Sequence, residues 1–395
     1  MTENKKRMLL FGPGFGHNVE AKLRSLNVKP LFDVVFFAYR LDDSFREKYS
    51  YIEYVPIDYT SSIFILDLRH PWQLFKSIFR LYKEVKSYGK FDVVYSLGME
   101  GLIGCLMFLF ANKEAKKATE IWSTHLIVSA KRNSSFWDKL NRFVIRRSDL
   151  ICQFWWGVRE LFVQNFPEYE NRFLMYQLSY PDIFFSEEKH SPESDFVKDF
   201  LNRIPKNQIV CFWPRSFIPS NNHKLLLDSL GIIKKECPDL IDNFKLYLWG
   251  GNVEKGNSRT IIDDAIKDNS LKEYVQIVNH PFVPQNDIFA IEERSDFFVQ
   301  IANNDVLSTY IMEILCSGKP FVISNLRTFQ FLNEKYGLEI DFVENNAQSI
   351  AERIKQILIR LRNTKVIDYR RREICKLHFS KSNTKPFAHI LYEKL

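Results

Sequence analysis

The sequence feature that most constrains the fold is an alternation of short apolar segments with amphipathic segments along most of the chain. In the first half, strands are predicted at residues 7–11, 33–38, 91–96, 120–123 and 149–154. In the second half, strands are predicted at residues 209–213, 245–249, 275–278, 297–301 and 321–324. Strands that alternate with helices form parallel sheets that are covered by helices on both faces. The sequence therefore predicts an α/β fold.

A polar, acidic stretch at residues 186–194 separates the two halves and is typical of a linker. A chain of 395 residues is long for a single core and long enough for two domains. We expect one Rossmann-like domain over residues 1–185 and a second over residues 205–375. The last helices are predicted at residues 347–362 and from residue 369 to the end. In such sheets, ligands bind at the carboxyl ends of the strands.

Composition limits the class of protein and its compartment. The longest apolar runs are shorter than the roughly 20 residues that a membrane-spanning helix needs. The N-terminus has basic residues but lacks the apolar region and cleavage site of a signal peptide. The six cysteines lack C-x-x-C spacing, which argues against a disulfide framework or a zinc site and for a reducing compartment. We therefore expect a cytoplasmic protein.

The net charge of +7 is unevenly distributed. Residues 1–150 carry 24 Lys and Arg against 16 Asp and Glu, and residues 351–395 carry 12 against 4. Residues 151–350 carry 19 against 28. Basic ends around an acidic middle predict two positively charged patches, which suit anionic lipid headgroups or an anionic glycan better than nucleic acid.

Two segments are candidates for contact with an anionic membrane, at the inner face of the cytoplasmic membrane. Residues 131–147 are basic and place Trp137, Leu140 and Val144 near helical spacing. A second predicted helix carries an aromatic stripe and interleaved cations, namely Trp72, Phe75, Phe79 and Tyr82 with Lys76, Arg80, Lys83 and Lys86. For both segments, a helix packed on its own domain is the alternative, and an aromatic stripe more often belongs to a core.

Two carboxylates lie eight positions apart around the start of a predicted helix. The helix is expected to begin near Ser308, with Ile311 and Leu315 on its buried side and Glu313 roughly opposite. Asp305 lies in the preceding loop. The free N–H groups and the dipole of the helix N-terminus between the two acids favour a phosphate. This arrangement predicts a site for a nucleotide-sugar.

The residues around this acid pair resemble a known motif. The sequence contains, in order, an apolar strand, Asp305, seven residues, Glu313, a Gly-Lys-Pro sequence and a second apolar strand. This order resembles the E-x7-E region of the GT4-type glycosyltransferases of the GT-B fold. The first acid is Asp rather than Glu, and residues 306–308 stand where the family usually has glycines. The resemblance covers residues 209–362 well and the first domain only in its general plan.

The resemblance implies an architecture and an activity. Two Rossmann-like domains are expected to face a central cleft, and residues 376–395 are expected to form a C-terminal helix that crosses back to the first domain. The second domain is expected to bind a nucleotide-sugar donor and the first domain the acceptor. The implied activity is transfer of the sugar to a lipid-linked or polysaccharide acceptor of the cell surface, with retention of anomeric configuration.

The chemistry of glycosyl transfer assigns roles to several residues. The departing diphosphate gains negative charge as the anomeric carbon becomes oxocarbenium-like, so cations are needed beside it. Arg215 and Lys224 follow the first strand of the second domain and match the two cations of the family's basic loop. Glu313 is expected to accept hydrogen bonds from the ribose diol, and Asp305 to orient the donor sugar. Main-chain amides at the helix N-terminus are expected to hold the pyrophosphate, at Val306, Leu307, Ser308 and Thr309.

Further residues match the family by position. His125 follows a predicted strand of the first domain, where family members often carry a His that lines the sugar site, and a structural or surface role is an equal alternative. The Gly-rich loop after the first strand would place Gly14 and Gly16 beside the donor phosphates and the acceptor. The turn and the loop beside the nucleotide are matched by Gly250, Phe282 and Val283.

Other functions are compatible with parts of this sequence. No D-x-D triplet occurs, so no metal cofactor is expected, and Arg215, Lys224 and the helix N-terminus would supply the positive potential. A hydrolysing nucleotide-sugar 2-epimerase shares the fold, and a non-catalytic GT-B subunit that partners another transferase is favoured by the missing glycines. An NAD-dependent enzyme is disfavoured, because His17 stands where the dinucleotide fingerprint needs its last glycine.

Overall fold

The computed structural model divides the chain into two compact units. Unit 1 comprises Met1–Tyr180 and Thr384–Leu395, and unit 2 comprises Pro181–Asn383. The described residues are 5–12, 19, 22–23, 26–38, 43–57, 69–98, 101–121, 124–153, 156–176, 179–180, 182–185, 191–249, 257–279, 285–303, 309–364 and 366–395. Within these ranges, the side chains at 43–45, 124–125, 156, 183, 285 and 309 are not described.

Unit 1 is built on one parallel sheet. Its strands are β1 (Lys6–Gly12), β2 (Phe32–Ala38), β3 (Ile52–Pro56), β4 (Val93–Leu97), β5 (Lys116–Glu120), β6 (Leu150–Gln153) and β7 (Phe173–Met175). They pair in the order β3-β2-β1-β4-β5-β6-β7, with every neighbouring pair parallel. The described helices of its first 180 residues are α1 (Asp43–Lys48), α2 (Pro71–Ser87), α3 (Gly101–Phe110), α4 (Thr124–Arg132), α5 (Phe136–Arg147) and α6 (Trp156–Asn165).

Unit 2 is also built on parallel strands. Its strands are β8 (Ile209–Trp213), β9 (Phe244–Leu248), β10 (Val275–Ile277), β11 (Phe298–Gln300), β12 (Phe321–Ser324) and β13 (Phe342–Val343). They form two parallel sheets, β10-β9-β8 and β11-β12-β13, and a bridge between Cys211 and Phe297 places β8 beside β11. The described helices are α7 (Asp195–Asn202), α8 (His223–Glu236), α9 (Ser258–Asp268), α10 (Gln285–Arg294), α11 (Thr309–Ser317), α12 (Arg327–Tyr336), α13 (Ala347–Asn363) and α14 (Tyr369–Phe379). No described helix of either unit is long and apolar enough to cross a membrane.

Both units share one strand order. Counted from the first strand of each unit, the order is 3-2-1-4-5-6, and unit 1 adds a seventh strand beyond the sixth. In open sheets of this kind, ligands bind at the carboxyl ends of the strands, where the order reverses. That switch point lies between β1 and β4 in unit 1 and between β8 and β11 in unit 2.

The last helix, α15 (Phe387–Lys394), belongs to unit 1. The Phe387 ring stacks on Tyr176, with ring centroids 4.1 Å apart, and meets the edge of Tyr95 at 6.3 Å. The chain thus ends in the unit in which it began. The helix predicted from residue 369 to the end is in fact two helices, because residues 380–386 leave the helical conformation between α14 and α15.

Several predicted boundaries differ from the observed ones. Strand β5 ends at residue 120, whereas the sequence predicts a strand at residues 120–123. Because β5 begins with two lysines, a search for apolar runs does not detect it. Strands β3, β7 and β13 were not predicted at all. Unit 2 begins earlier than the predicted residue 205, because α7 packs Val197 and Phe200 into the same core as Phe212.

Candidate active site

The loop between β8 and α8 brings polar side chains to the carboxyl edge of the second sheet. Asn222 precedes α8 in the left-handed conformation, with φ of 58°, which Asn adopts more readily than most residues. Its side-chain amide donates to the Ile301 carbonyl at 2.7 Å and to the Asn303 side chain at 2.8 Å, and Asn303 donates back at 2.9 Å. Because Ile301 and Asn303 follow β11, these hydrogen bonds join the two sides of the switch point.

Arg215 and Lys224, the two cations predicted from the sequence, both lie at this edge. Arg215 lies two residues beyond β8, and its Nη2 donates to Asn221 Oδ1 at 3.3 Å. Lys224 lies in the first turn of α8, where its Nζ is 2.6 Å from the Asp228 carboxylate. Exposed ion pairs at this helical spacing contribute only about 0.3–0.5 kcal/mol. Lys224 can therefore turn from Asp228 to an anionic ligand.

A cavity of about 460 Å³ opens beside these residues. Its volume lies within the roughly 300–1,000 Å³ that is usual for small-molecule sites. The polar part of its lining comes from α8 and the residue before it, α9 and the loops after β11 and β13, namely Asn222, His223, Lys224, Asp228, Ser258, Asn303 and Asn345. Amide, hydroxyl and ammonium groups suit a ligand that is rich in hydroxyl and phosphate oxygens.

His223 is a buried member of this lining that the sequence did not single out. Its ring lies 4.4 Å from the Trp213 ring and 5.1 Å from the Phe217 ring. Burial lowers the pKa of His223 from 6.5 to about 4, although a hydrogen bond to the backbone of Arg215 opposes this shift. The imidazole is therefore neutral at pH 7. Among the described residues, its Nε2 has no hydrogen-bond partner.

Helix α11 confirms the predicted buried residues Ile311 and Leu315 but not the predicted position of Glu313. All the residues from Tyr310 to Cys316 are buried, so this part of the helix has no exposed face. Glu313 is only 1% exposed, so its place opposite the predicted buried side does not make it a surface residue.

The Glu313 carboxyl lies beside that of Glu292, a residue of α10 that the sequence analysis missed. Burial raises the pKa of Glu292 well above its ordinary value, and the negative charge of Glu313 raises it further. Burial and the neighbouring carboxylate therefore both favour the protonated form of Glu292. The only signal in the sequence is an acid within the apolar side of a helix.

Tyr310 fixes the first turn of α11 against the end of β8. Its hydroxyl donates a buried hydrogen bond of 3.1 Å to the Phe212 carbonyl. Burial raises the pKa of this phenol well above its ordinary value, and the positive charge of Arg215 opposes this shift. The hydrogen bond joins the first turn of α11 to the end of β8, close to the switch point.

Most of the other predicted site residues lie outside the described parts of the chain. They are Gly14, Gly16, Gly250, Phe282, Val283, Asp305, Val306, Leu307 and Ser308. Thr309 begins α11 and His125 lies in the first turn of α4, but neither side chain is described. The roles of these residues stay predictions.

The sequence matches the model of one protein family, "Glycosyl transferases group 1", over residues 196–393. The chain belongs to this family. The matched region contains Arg215, Lys224, Glu313 and the whole lining of the cavity. The protein is accordingly a glycosyltransferase, and the NAD-dependent alternative is set aside.

Solved structures share the fold over nearly the whole chain. A glycosyltransferase from Rickettsia africae ESF-5 has a TM-score of 0.70 at 16% identity, over 99% of this chain and 98% of that chain. HepE from Anabaena, in complex with UDP-glucose, has a TM-score of 0.70 at 12% identity, over 99% and 100%. A UDP-forming α,α-trehalose-phosphate synthase from Burkholderia xenovorans has a TM-score of 0.69 at 11% identity, over 98% of both chains. No curated protein matches the sequence. The predicted GT-B fold, with two Rossmann-like domains, is confirmed.

Proposed function

We propose that this glycosyltransferase moves a sugar from a nucleotide diphosphate sugar to a lipid-linked or polysaccharide acceptor. The observation that carries the proposal is the grouping, at the carboxyl edge of the second sheet, of Arg215, Lys224 and a cavity lined by both polar and apolar side chains. The complex of HepE with UDP-glucose and the UDP-forming synthase from Burkholderia support a nucleotide-sugar as the donor class.

The main chemical demand at the site is stabilisation of the negative charge that develops on the leaving diphosphate. Arg215 and Lys224 would bind the two phosphates, and the amides of residues 306–309 would complete the anion site at the start of α11. A helix N-terminus carries about half a positive charge, so these groups supply the positive potential that a divalent ion supplies elsewhere. We therefore propose a reaction that needs no metal and no cofactor besides the donor substrate.

The remaining roles follow from the same donor. Glu313 would accept hydrogen bonds from the ribose, which requires its carboxylate to become accessible in the complex because it is buried in the free protein. Asp305 would orient the donor sugar. His125, Gly14 and Gly16, in unit 1, would serve the acceptor side. Retention of anomeric configuration is the stereochemical outcome that we propose.

The acceptor class and the location of the enzyme are inferred from charge. The first 150 residues carry 24 Lys and Arg against 16 Asp and Glu, which suits anionic lipid carriers or anionic glycans. We place the reaction in the cytoplasm, at the inner face of the cytoplasmic membrane, in the assembly of cell-surface glycans.

Nucleotide binding tests the proposal directly. Thermal-shift measurements with UDP, GDP, ADP and CMP should show a rise in Tm for at least one nucleoside diphosphate, because a ligand that binds only the native state stabilises it. Lys224→Ala should reduce this shift. Lys235→Ala is the matched control, since Lys235 is an exposed cation in the last turn of the same helix and does not line the cavity.

Turnover separates the proposed transferase from the epimerase. Lys224→Ala should lower kcat by about 10²–10³-fold, the effect of removing one donor that stabilises the transition state, with little change in Tm. Glu313→Gln should also lower transfer, and full activity in this variant would refute its role. A wild-type protein that binds none of the four nucleotides, or that converts the donor without any acceptor, would contradict the proposal.

A further inference from the structure

Helix α2 exposes an aromatic face that the core does not use. Leu74, Leu81 and Val85 on one side of the helix are buried in the core of unit 1. The other side carries four large aromatic residues, with exposed fractions of 76% for Trp72, 59% for Phe75, 48% for Phe79 and 41% for Tyr82. Of the two interpretations that the sequence left open, burial of this stripe in a core is therefore not what the structure shows.

The exposed aromatic residues form one continuous surface. Their spacing of three or four positions places them along one side of the helix. The Trp72 and Phe75 rings stack at 5.9 Å, and the Phe75 and Phe79 rings stack at 6.4 Å. Tyr82 extends the surface to α3, where it meets the edge of Phe110 at 5.3 Å. Contiguous exposed apolar patches on a soluble domain mark interaction sites.

Cations border this aromatic surface. The helix carries Lys76, Arg80, Lys83 and Lys86 against one acid, Glu84. Lys83 Nζ lies 4.6 Å from the centre of the Phe79 ring, and Lys86 Nζ lies 5.8 Å from the centre of the Tyr82 ring. The partner must therefore accept aromatic side chains and positive charge at the same place.

These features favour a membrane over a protein as the partner. The cores of protein–protein interfaces are enriched in aromatic residues but depleted of Lys, whereas α2 places two lysines beside its rings. Helices that lie in the plane of a bilayer combine Trp and Phe on one face with Lys and Arg at the polar boundary. Anionic headgroups attract such cations within a Debye length of the surface.

We propose that α2 docks unit 1 on an anionic lipid bilayer, with its aromatic face at the boundary between headgroups and acyl chains. Trp72, Phe75 and Phe79 enter this boundary, and Lys76, Arg80, Lys83 and Lys86 contact lipid phosphates. The purpose of this contact, access to a lipid-linked acceptor, rests on the proposed function. The docking itself needs neither donor nor acceptor.

Helix α5, the other membrane candidate of the sequence, has a different structure. Val144 is buried in the core of unit 1 and Leu140 packs against the same core. The remaining residue of the predicted stripe, Trp137, is 37% exposed and covers Gly101 at the start of α3. The packing of Leu140 and Val144 favours a basic helix packed on its own domain, and α5 therefore provides a control.

Vesicle co-sedimentation tests the proposal with the full chain. The probes are vesicles of phosphatidylcholine, with or without one third of phosphatidylglycerol. We expect the protein to bind the anionic vesicles, with an affinity that falls as the salt concentration rises. Its affinity for the neutral vesicles should be at least tenfold lower. Because both side chains are exposed, Trp72→Ser/Phe75→Ser should keep the Tm of the wild type and lose at least tenfold in vesicle affinity.

Two further variants sharpen the test. Lys83→Gln/Lys86→Gln should remove most of the preference for anionic vesicles. Phe136→Ser, which removes an exposed aromatic side chain from α5, should bind vesicles like the wild type. The proposal is overturned if the wild type does not bind, if the α2 and α5 variants behave alike, or if α2 instead mediates a dimer that Trp72→Ser/Phe75→Ser dissolves. The nucleotide-induced rise in Tm, measured on the same variants, reports separately on the proposed donor site.

Discussion

Units 1 and 2 have the same strand order, yet the described part of the carboxyl edge holds a buried ion pair in unit 1 and a cavity in unit 2. In unit 1, Lys22 Nζ lies 2.5 Å from Glu120 Oε1 and donates to the Tyr176 hydroxyl at 3.0 Å. The Tyr95 hydroxyl donates to Glu120 Oε2 at 3.1 Å. These four side chains are buried, and three of them come from β4, β5 and the residue after β7.

The ion pair in unit 1 is held inside the protein by its surroundings. Burial lowers the pKa of Lys22 to about 8, although the charge of Glu120 opposes this shift. Phe387 of the last helix stacks on Tyr176 and so packs directly over the network. In unit 2, by contrast, His223 lines the cavity, and its Nε2 has no hydrogen-bond partner among the described residues. The strand order fixes where a site can form, and the side chains decide whether that place is filled or open.

Lys22→Met should have the largest effect on stability. It should lower the free energy of unfolding by about 3–5 kcal/mol, because Glu120 would remain buried without its ionic partner. Urea unfolding, followed by fluorescence, measures this change. The double variant Lys22→Met/Glu120→Met should recover most of the loss, since neither buried charge remains. A double variant as unstable as the single one would mean that the network acts through packing rather than charge.

His223→Phe should change how the stability of the protein depends on pH. The pKa of His223 falls from 6.5 to about 4 on folding, so between these values the unfolded chain binds more protons than the native protein. The wild type should therefore lose about 3 kcal/mol of stability as pH falls from 6.5 to 4, relative to its value at pH 7.5. His223→Phe should lack this component. The free energy of unfolding is measured by urea titration at each pH. If it changes with pH in the same way for both proteins, the imidazole is not buried in solution.

The sequence predicts those strands whose side chains all lie in the same environment. Strands β8 and β12 are buried on both faces, and their continuous apolar runs give their observed bounds. Strand β13 has only two residues, too few for any pattern. The positions of Arg215 and Lys224 after β8 could be predicted, because both residues follow an apolar run that is visible in the sequence.

Burial of polar groups could not be predicted in the same way. Glu313 lies roughly opposite the apolar stripe of α11, but neighbouring elements cover that side as well. The aromatic face of α2 shows the reverse case, since its hydrophobic residues are exposed and the sequence left both burial and exposure open. In both cases the environment is set by elements that are distant in the sequence, which a local pattern does not contain.

Asn222→Ala tests the hydrogen bonds that join β8 and β11 in unit 2 and should have the smallest effect. The left-handed backbone should cost about 1–2 kcal/mol with Ala. Asn222→Gly should avoid that strain and lose only the three side-chain hydrogen bonds to Ile301 and Asn303, which together should cost about 1–2 kcal/mol because two of them are exposed to water. Both variants should weaken nucleotide binding several-fold in thermal-shift titrations, because Asn303 and Lys224 would no longer be held together at the cavity.

Asn133→Ala in unit 1 is the matched control, since Asn133 also has a positive φ, of 51°, and should alter stability but not nucleotide affinity. If Asn222→Gly binds nucleotide as tightly as the wild type, the link between the two sides of the switch point does not shape the site.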